Sequence, residues 1–422
     1  MRWFRPEREV DVCCPRAEVD APVNRRRLIS IIALVSFMTT SACATSNSGD
    51  SPASSSPPTS APLAPWAGSL ASDALPVPVQ SLNAVACPTP ARCWAVGSTT
   101  ASDKSPATAA VVATTDGGRS WKVETVPATV EFLSDIACPS PRVCVAVGQS
   151  SGVGGGSGSV LSTQDAGTTW TPQTIPTGIS DVTSVDCRIG GRCIASAVLS
   201  GRVTALSAPT PSSSWVTGGP FPSTVSAVTG LSCTDSSHCW ASGTSPVDTA
   251  HMSGVVAFTA DGGTTWALQS VPNAIGVLSD ISCTAASDSG ASGSGGSAIE
   301  RVPCTAVGTT ATSVVSARTG QGVVLTTSNG GSAWTSVPVT ATSAALHSVT
   351  CDAGPCVAAG TTVASSAQAG IVILARAAGT SPATWRKAAV TTVAFPLTGV
   401  ACRSLASCVV VGESITAHLS AN

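Results

Sequence analysis

The cysteines are the residues of this sequence whose number and spacing point most directly to a defined chemistry. The chain has 422 residues and 17 cysteines, and 14 of these fall into seven close pairs, mostly with five residues between the partners. Zinc sites favour two to four intervening residues and usually include histidine, whereas this sequence has only four histidines. We therefore predict seven disulfides, which require an oxidising compartment. The predicted pairs are Cys87–Cys93, Cys138–Cys144, Cys187–Cys193, Cys233–Cys239, Cys283–Cys304, Cys351–Cys356 and Cys402–Cys408.

Three aspartates are the other candidates for chemistry. Asp135, Asp186 and Asp280 lie at alternate positions in the apolar segments that precede the first cysteine of a pair. If these segments line a channel, the carboxylates form a weak candidate ligand site, a polar or cation-binding funnel at the channel mouth. The alternative, which we favour, is that turn amides or channel water satisfy them. The four histidines show no metal-ligand spacing, so we predict no metal site. We also predict no cofactor and no catalytic residue.

The segments before the cysteines belong to an internal repeat of about fifty residues. Each unit begins with a short apolar alternation such as Leu82–Cys87, which is suited to a strand. The second cysteine follows, then an apolar strand that usually contains glycine, a variable loop, a third strand and a turn before a tryptophan. Four short strands in such a unit match one blade of a β-propeller. Antiparallel pairing sets the two cysteines opposite each other, with Cα atoms roughly 4.5–5.5 Å apart.

The tryptophans set the number of blades. A tryptophan opens the final strand of six repeats, whereas the seventh repeat ends at Asn422 without one. The segment from Trp66 to Pro76 resembles the missing strand, so we expect it to complete the blade begun by residues 397–422 and to remove exposed sheet edges. We predict an all-β, seven-bladed propeller of four-stranded blades over residues 66–422, with one disulfide in each blade. The six tryptophans are Trp121, Trp170, Trp215, Trp266, Trp334 and Trp385.

The turn before four of these tryptophans has a pattern of its own, Ser/Thr-x-Asp-x-Gly-x-x-Trp. It contains Asp116, Asp165 and Asp261, and Asn329 replaces aspartate in a fourth copy. The pattern resembles the Asp-box, or BNR, repeat of sialidase-like propellers. The resemblance covers roughly residues 66–422 and implies the propeller fold. It also implies that the aspartates cap the turn and that glycine supplies a positive φ, so we assign them no chemical role.

The resemblance also raises enzymatic alternatives. A sialidase needs a tyrosine nucleophile, and this chain contains no tyrosine, which excludes that mechanism. Other Asp-box glycosidases use a carboxylate pair and aromatic platforms, so a glycan-active hydrolase with its site in the channel mouth remains one alternative. We expect Trp94 and Trp240 to pack between blades rather than to form such platforms. An assembly factor for an envelope complex is the other alternative, because some Asp-box propellers resemble photosystem assembly proteins.

The N-terminal region has the features of an export signal. Three arginines precede an apolar run, Leu28–Met38, that is too short to span a bilayer and suits a signal peptide. Thr40–Cys43 resembles a bacterial lipobox, with Thr40 where that motif prefers leucine; the alternative is an ordinary signal peptide and a secreted protein. We predict a signal peptide and lipobox in residues 1–43, with Cys43 lipidated, and a disordered tether rich in serine, proline and threonine in residues 44–65.

Charge and loop positions complete the prediction. The net charge of −2 gives no reason to expect nucleic acid as a partner. We predict a monomeric, non-enzymatic binding or scaffold propeller outside the cytoplasm, which contacts the membrane only through its lipid anchor and binds protein or glycan at the cell envelope. We expect recognition on the face that carries the variable loops 149–159, 244–254 and 309–321. The loops between paired cysteines, some of which contain arginine, lie on the opposite face.

Overall fold

The computed structural model contains seven antiparallel sheets of four strands each. Residues 1–67 lie outside the part that the structure describes, and with them the predicted signal peptide, Cys43, the tether and Trp66. The described residues are 68–76, 79–100, 107–151, 156–188, 191–273, 275–285, 298–312, 320–339, 345–351, 356–364, 367–375, 385–387, 395–404, 407–413 and 415–421.

Each sheet is one blade, and its strands follow one another from the inside of the ring outward. The inner strands are β2 (Val79–Ala86), β6 (Val130–Ser140), β10 (Ile179–Cys187), β14 (Ala227–Cys233), β18 (Val277–Cys283), β22 (Ala345–Thr350) and β26 (Leu397–Ser404). The second strands are β3 (Cys93–Thr99), β7 (Val143–Ser150), β11 (Cys193–Leu199), β15 (Cys239–Pro246), β19 (Cys304–Thr309), β23 (Val357–Ala364) and β27 (Ser407–Gly412). The third strands are β4 (Ala109–Thr114), β8 (Ser157–Thr163), β12 (Arg202–Ala208), β16 (Met252–Thr259), β20 (Gly322–Thr327), β24 (Ala367–Ala375) and β28 (Ile415–Ala421).

The fourth strand of each blade lies on the outside of the ring and spans two to five residues in six of the seven blades. These outer strands are β5 (Lys122–Glu124), β9 (Thr171–Pro172), β13 (Val216–Pro220), β17 (Ala267–Gln269), β21 (Thr335–Val337), β25 (Trp385–Lys387) and β1 (Gly68–Ala74). A single short 3₁₀ helix, Ala298–Arg301, accompanies the strands in the described part of the chain. Among the same residues no helix is long and apolar enough to cross a membrane.

The inner strands form a closed circle. Each contacts the inner strand of the blade before it and of the blade after it, and β26 contacts β2. The strand β1 pairs with β28, from Gly68 opposite Ala421 to Ala74 opposite Ile415. The N-terminal strand therefore completes the last blade, and the predicted seven-bladed propeller is confirmed.

The hydrophobic core is divided among the spaces between blades, because each sheet buries both of its faces against its neighbours. One cluster joins Val145 and Val147 of the second blade to Val182, Val185 and other residues of the third. Short β-branched and small side chains fill these spaces, which fits the low aromatic content of 4%.

All seven predicted disulfides are present within their blades. Each links the end of an inner strand to the start of the second strand. Their Cα atoms are 4.0–4.1 Å apart, somewhat closer than the spacing expected for facing residues. The Cys283–Cys304 bridge closes across 21 residues, so a long insertion leaves the blade geometry unchanged.

Every inner strand bulges at the same point of the repeat. The register shifts between the first and third residues of the segment that ends at the first cysteine, as between Leu82 and Ala84 or Leu278 and Asp280. The same shift occurs in the other five blades. One extra residue therefore stands between two paired residues, and its side chain is free to turn toward the channel or the next blade.

The glycine of the second strand is explained by this bulge. Gly97 pairs with Leu82, and a Cβ atom there would overlap the backbone oxygen of Ser81. Gly308 is in the same situation beside the oxygen of Val277. The third blade has Ala197 at this position.

Candidate functional site

The centre of the ring holds a cavity of about 760 Å³ lined by all seven inner strands. Its wall begins at the bulges and extends to the loops between paired cysteines, where Arg188, Asp235 and Arg403 contribute. Asp135, Asp186 and Asp280, the three aspartates singled out from the sequence, all line this cavity. The structure thus brings together residues that are far apart in the chain, since 145 positions separate Asp135 from Asp280.

The six residues that end at the first cysteine of each blade, such as Leu82–Cys87, form a motif whose positions one to six have regular roles. The second position, the extra residue of the bulge, can donate to the backbone of the next blade. The Asn83 amide donates to the Leu133 carbonyl at 2.7 Å, and the Thr398 hydroxyl donates to the Leu82 carbonyl at 2.6 Å. Thr183 and Thr229 donate in the same way across two further boundaries.

At the three remaining boundaries the third position accepts hydrogen bonds from the next blade. Asp135 Oδ2 accepts from the Ser184 hydroxyl at 2.8 Å and from the Val185 amide at 2.9 Å. Asp280 Oδ2 accepts from the Ser348 hydroxyl at 3.0 Å and from the Val349 amide at 2.8 Å. The Ser348 hydroxyl oxygen in turn accepts from the Val400 amide.

At each of the seven blade boundaries, a side chain at either the second or the third position of the motif therefore makes a hydrogen bond to the next blade. Asp135 and Asp280 also accept from the amide of the residue that follows them, at 2.8 Å in both cases. Two of the three donors to each carboxyl group thus belong to the neighbouring blade, rather than to a turn as the favoured alternative expected. Because a half-buried carboxyl group also needs such donors, the contacts hold adjacent blades together.

Asp186 occupies the fifth position of its motif and has a related role. Its Oδ2 accepts from the Cys233 amide of the next blade at 2.7 Å and lies 3.4 Å from Arg188 Nη2. Ser232 and Ser282, at the same position of later blades, accept from Cys283 and Cys351. The predicted funnel is thus a wall whose polar groups are largely committed to blade-to-blade contacts.

The electrostatics of the wall are dominated by carboxyl groups that are half-buried. Burial raises the pKa of Asp280 to about 7, and the negative charge of Asp135 adds to the rise. Burial also raises the pKa of Asp135, against the lowering effect of its hydrogen bonds. His347 lies in the same wall, and burial lowers its pKa, which favours a neutral ring at pH 7.

The described wall of the cavity lies on the side of the cysteine loops, and recognition by the variable loops stays a prediction. Strand direction places loops 149–159, 244–254 and 309–321 at the opposite end of the blades from the cysteine loops, and none of the lining residues of the described cavity comes from them. Sequence reasoning missed His347, Arg188 and Arg403 as wall residues. For His347 the missed signal is the register of the bulge, which turns the second position of every motif toward the channel. Arg188 and Arg403 each directly follow the first cysteine of a pair.

Three arginines of the cysteine loops donate to backbone carbonyls of the next blade. Arg92 donates to the Pro141 carbonyl of the next blade at 3.2 Å, and Arg192 donates to the Gly262 carbonyl at 3.2 Å. Arg403 donates to the Cys87 carbonyl across the closure of the ring. These guanidinium groups link neighbouring blades.

The aspartate turns, residues 114–121, 163–170 and 259–266, are stabilised from within. In the first, Asp116 Oδ1 accepts from the amides of Arg119 and Ser120, and Oδ2 accepts from the Ser120 hydroxyl at 2.6 Å. Hydrogen bonds, led by that of the Ser120 hydroxyl, lower the pKa of Asp116 to about 2. Gly117 and Gly118 have φ of 76° and 92°. The carboxylates of these turns are structural.

The turn with asparagine in place of aspartate lacks the hydroxyl group that donates to the second carboxylate oxygen in the other turns. Asn329 Oδ1 accepts from the Ala333 amide at 3.0 Å, as the aspartates do from the equivalent residues. The other end of its side chain is an amide NH₂, which cannot accept a hydrogen bond from a hydroxyl group. The equivalent of Ser120 in this copy is Ala333, which has no hydroxyl to donate.

Trp94 and Trp240 pack between blades, as predicted, with 1% and 0% of their surface exposed. The indoles of Trp94 and Trp170 donate to the two carboxylate oxygens of Glu124, at 3.2 and 2.7 Å. Around Trp240 the same place is held by Gln269, which accepts from Trp334 at 3.0 Å and donates to the Gly330 carbonyl. Burial raises the pKa of Glu124.

No group of three or more metal-ligating side chains occurs among the residues that the structure describes. The wall offers hydroxyls, amides and carboxyls on a disulfide-braced ring. Its chemistry therefore suits hydrogen bonding to a polar ligand more directly than proton transfer to a reacting bond, because Asp135 and Asp280 each spend three acceptor positions on the protein.

Comparison with known proteins finds the fold and nothing more specific. No protein-family model and no curated protein sequence matches the chain. The structure is similar to YCF48 bound to D1 peptide, with a TM-score of 0.51 and 11% identity over 84% of this chain and 95% of that chain. For YCF48 from Cyanidioschyzon merolae the TM-score is 0.50 and the identity 14%, over 83% of this chain and 99% of that chain.

A catalytically inactive virginiamycin B lyase from Staphylococcus aureus, solved with quinupristin, is also similar, with a TM-score of 0.55 and 8% identity over 84% of this chain and 99% of that chain. One neighbour is thus named as a lyase and another is bound to a peptide. Identities this low establish the propeller fold alone, and a fold of this kind supports unrelated functions.

Proposed function

We propose that this chain is a non-enzymatic binding propeller of the Asp-box type that works outside the cytoplasm as a monomer, tethered to the membrane through a lipidated Cys43. A polar ligand, a segment of protein or glycan at the cell envelope, enters the central cavity from the side of the cysteine loops. The observation that carries the proposal is the cavity of about 760 Å³, whose size is ordinary for a ligand site and whose wall is built on rigid strands.

Two features support binding over catalysis. The carboxyl groups best placed for acid–base work, Asp135 and Asp280, are engaged by amides of the next blade. The indoles best suited to stacking a sugar, Trp94 and Trp240, are buried between blades. Seven disulfides favour an oxidising compartment, which agrees with export to the envelope.

The binding proposal is tested by blocking the cavity. Ala401 lines the wall, so Ala401→Arg should fill part of the cavity, whereas Val123→Arg changes an outer-strand residue that is already 44% exposed. We expect wild type and Val123→Arg to bind at least one member of a panel of envelope peptides and glycans, and Ala401→Arg to bind it at least about tenfold more weakly. Equal binding by both variants would place the site elsewhere.

The enzymatic alternative is tested with glycoside substrates. We expect no turnover; turnover that disappears in a variant with both Asp135→Asn and Asp280→Asn would instead identify a hydrolase.

The membrane tether is tested with Cys43→Ala. We expect the wild-type protein to enter the detergent phase and the variant to stay in the aqueous phase, because a lipidated cysteine supplies the membrane affinity. Partitioning that the substitution leaves unchanged would contradict lipidation at Cys43.

A further inference from the structure

The seven side chains at the second position of the motif fall into two groups. Four of them donate to the next blade and are therefore committed to the joint between blades. At the other three boundaries the third position makes the joint, so the second-position side chain is released from it. The released side chains are Ser134, Ser279 and His347, and all three line the cavity.

The two released serines have no side-chain partner in the part of the chain that the structure describes. Neither the Ser134 nor the Ser279 hydroxyl makes a hydrogen bond there, and both residues are half-buried. The His347 ring has one long contact, 3.5 Å from Nε2 to the Thr361 hydroxyl. Because a hydroxyl group both donates and accepts, the two serines are available to a ligand in the cavity.

The charge at this level of the cavity is negative. Among the second and third positions of the seven motifs, the ionisable side chains are Asp135, Asp280 and His347. The three donors around each aspartate favour its ionised form. They use three of the roughly four acceptor sites of a carboxylate, so each aspartate can accept from one further donor. The two arginines of the wall follow a first cysteine and lie toward the cysteine loops.

We propose that Ser134, Ser279, His347 and the two aspartates form a subsite for a cationic side chain, a lysine or arginine of a partner protein segment. This rests on the proposed function, since it takes the cavity to be the ligand site. An ammonium or guanidinium group can donate to the serine hydroxyls and to the remaining acceptor sites of the carboxylates. Its positive charge also offsets the repulsion between Asp135 and Asp280, and a cleft of one sign of charge attracts the opposite sign.

A protein segment fits this wall better than a glycan does. Apart from His347, no aromatic side chain lines the cavity within the described residues, so a sugar ring finds no flat apolar surface on which to stack. A lysine or arginine side chain needs apolar surface along its stem and polar groups at its end. Ile136, Ile281 and Val349 line the same cavity and supply that apolar surface.

The experiment measures binding of short, capped glycine–serine peptides by calorimetry. The central residues are lysines, arginines, acetyl-lysines or glutamates, and the pH is about 8, above the pKa of about 7 for Asp280. We expect wild type to bind the lysine or the arginine peptide at least about tenfold more tightly than the acetyl-lysine and glutamate peptides. Added salt should weaken this binding. Equal binding of all four peptides, or no binding of either cationic one, would overturn the proposal.

A matched pair of variants tests the subsite itself. Ser134→Lys places an ammonium group in it, whereas Ser134→Gln adds a neutral side chain, and both should fold because Ser134 makes no bond to the next blade. We expect Ser134→Lys to weaken binding of the cationic peptide at least about tenfold and Ser134→Gln to weaken it less than about threefold. Equal losses in the two variants would contradict a subsite that recognises charge.

Removal of a carboxylate charge is the complementary test. Asp280→Asn should weaken binding of the cationic peptide at least about fivefold. Asp116→Asn makes the same change in an aspartate turn outside the cavity and should leave binding unchanged. If Asp280→Asn does not fold, the two Ser134 variants decide. Equal binding by wild type and a folded Asp280→Asn would overturn the role of the carboxylate.

Two further results separate this proposal from its alternatives. A glucosamine oligosaccharide carries ammonium groups on a glycan, and tighter binding of it than of the peptides would overturn the assignment to a protein segment. Binding of the neutral acetyl-lysine peptide alone, if lost in Ala401→Arg, would overturn the cationic subsite and keep the cavity as the ligand site. Binding of a cationic peptide that neither Ala401→Arg nor Ser134→Lys changes would overturn both proposals.

Discussion

At the scale of single residues, the donors around an aspartate carboxyl group decide its structural role. The aspartates of the turns are exposed or half-buried and bind their own turn, whereas Asp135 and Asp280 bind the next blade. The same carboxylate group thus has a pKa of about 2 in one setting and about 7 in another. Hydrogen bonds from the turn dominate in the first case and loss of solvent in the second.

The aspartate turns predict a measurable coupling between Asp116 and Ser120. Asp116→Asn removes the acceptor of the Ser120 hydroxyl and should cost about 1 kcal/mol. Ser120→Ala should cost a similar amount in wild type and less than about 0.5 kcal/mol in the asparagine background, as the natural Asn329 and Ala333 pair suggests. Urea unfolding of the four proteins measures the coupling, and strictly additive losses would contradict it.

Glu124 makes a second prediction at this scale, because Gln269 is its natural counterpart. Glu124→Gln should change the free energy of unfolding by less than about 1 kcal/mol, since glutamine can accept one indole and donate to a carbonyl as Gln269 does. Glu124→Ala leaves the Trp94 and Trp170 indoles without this partner and should cost about 2 kcal/mol. Chemical unfolding tests both, and equal losses would show that the indole contacts contribute little.

At the scale of the strand, the bulge of the inner strand has the largest structural effect. It supplies an extra residue for blade-to-blade hydrogen bonds and brings the backbone against the glycine of the second strand. The bulge recurs in all seven blades, so one local irregularity organises the whole channel.

The bulge predicts a strong intolerance at Gly308. In Gly308→Ala the new Cβ overlaps the backbone oxygen of Val277, and we expect a loss of about 3 kcal/mol in the free energy of unfolding. Ala197→Gly is the control, since the third blade already has alanine at this position, and it should cost no more than about 1 kcal/mol. Thermal and urea unfolding measure both, and a mild effect of Gly308→Ala would mean that the backbone moves away freely.

For the whole molecule, the decisive contact joins the two ends of the chain. The strand β1 covers the edge of β28 over its full length, and the Thr398 hydroxyl and Arg403 bind the first blade from the seventh. Closure of the ring is therefore made by backbone pairing at the outside and by side chains at the inside.

Closure predicts that deletion of residues 1–74 has a global effect. Without β1 the edge of β28 is exposed and can pair with other chains, so we expect a lower unfolding midpoint and concentration-dependent association. Deletion of residues 1–67 is the control, because it leaves β1 in place. Size-exclusion chromatography and urea unfolding compare the two, and identical behaviour would show that the seventh blade does not need its fourth strand.

The sequence by itself determined the repeat, the disulfide pairs, the number of blades and the closure by the N-terminal strand. These follow from local spacing: five residues between cysteines, apolar alternation before Cys87, and tryptophan after each turn. Only the tertiary structure decided which groups meet across blades, because a one-residue bulge reverses the side of the strand on which a residue lies. That register placed Asp135, Asp280 and His347 in one wall and made the two aspartates bridges between blades.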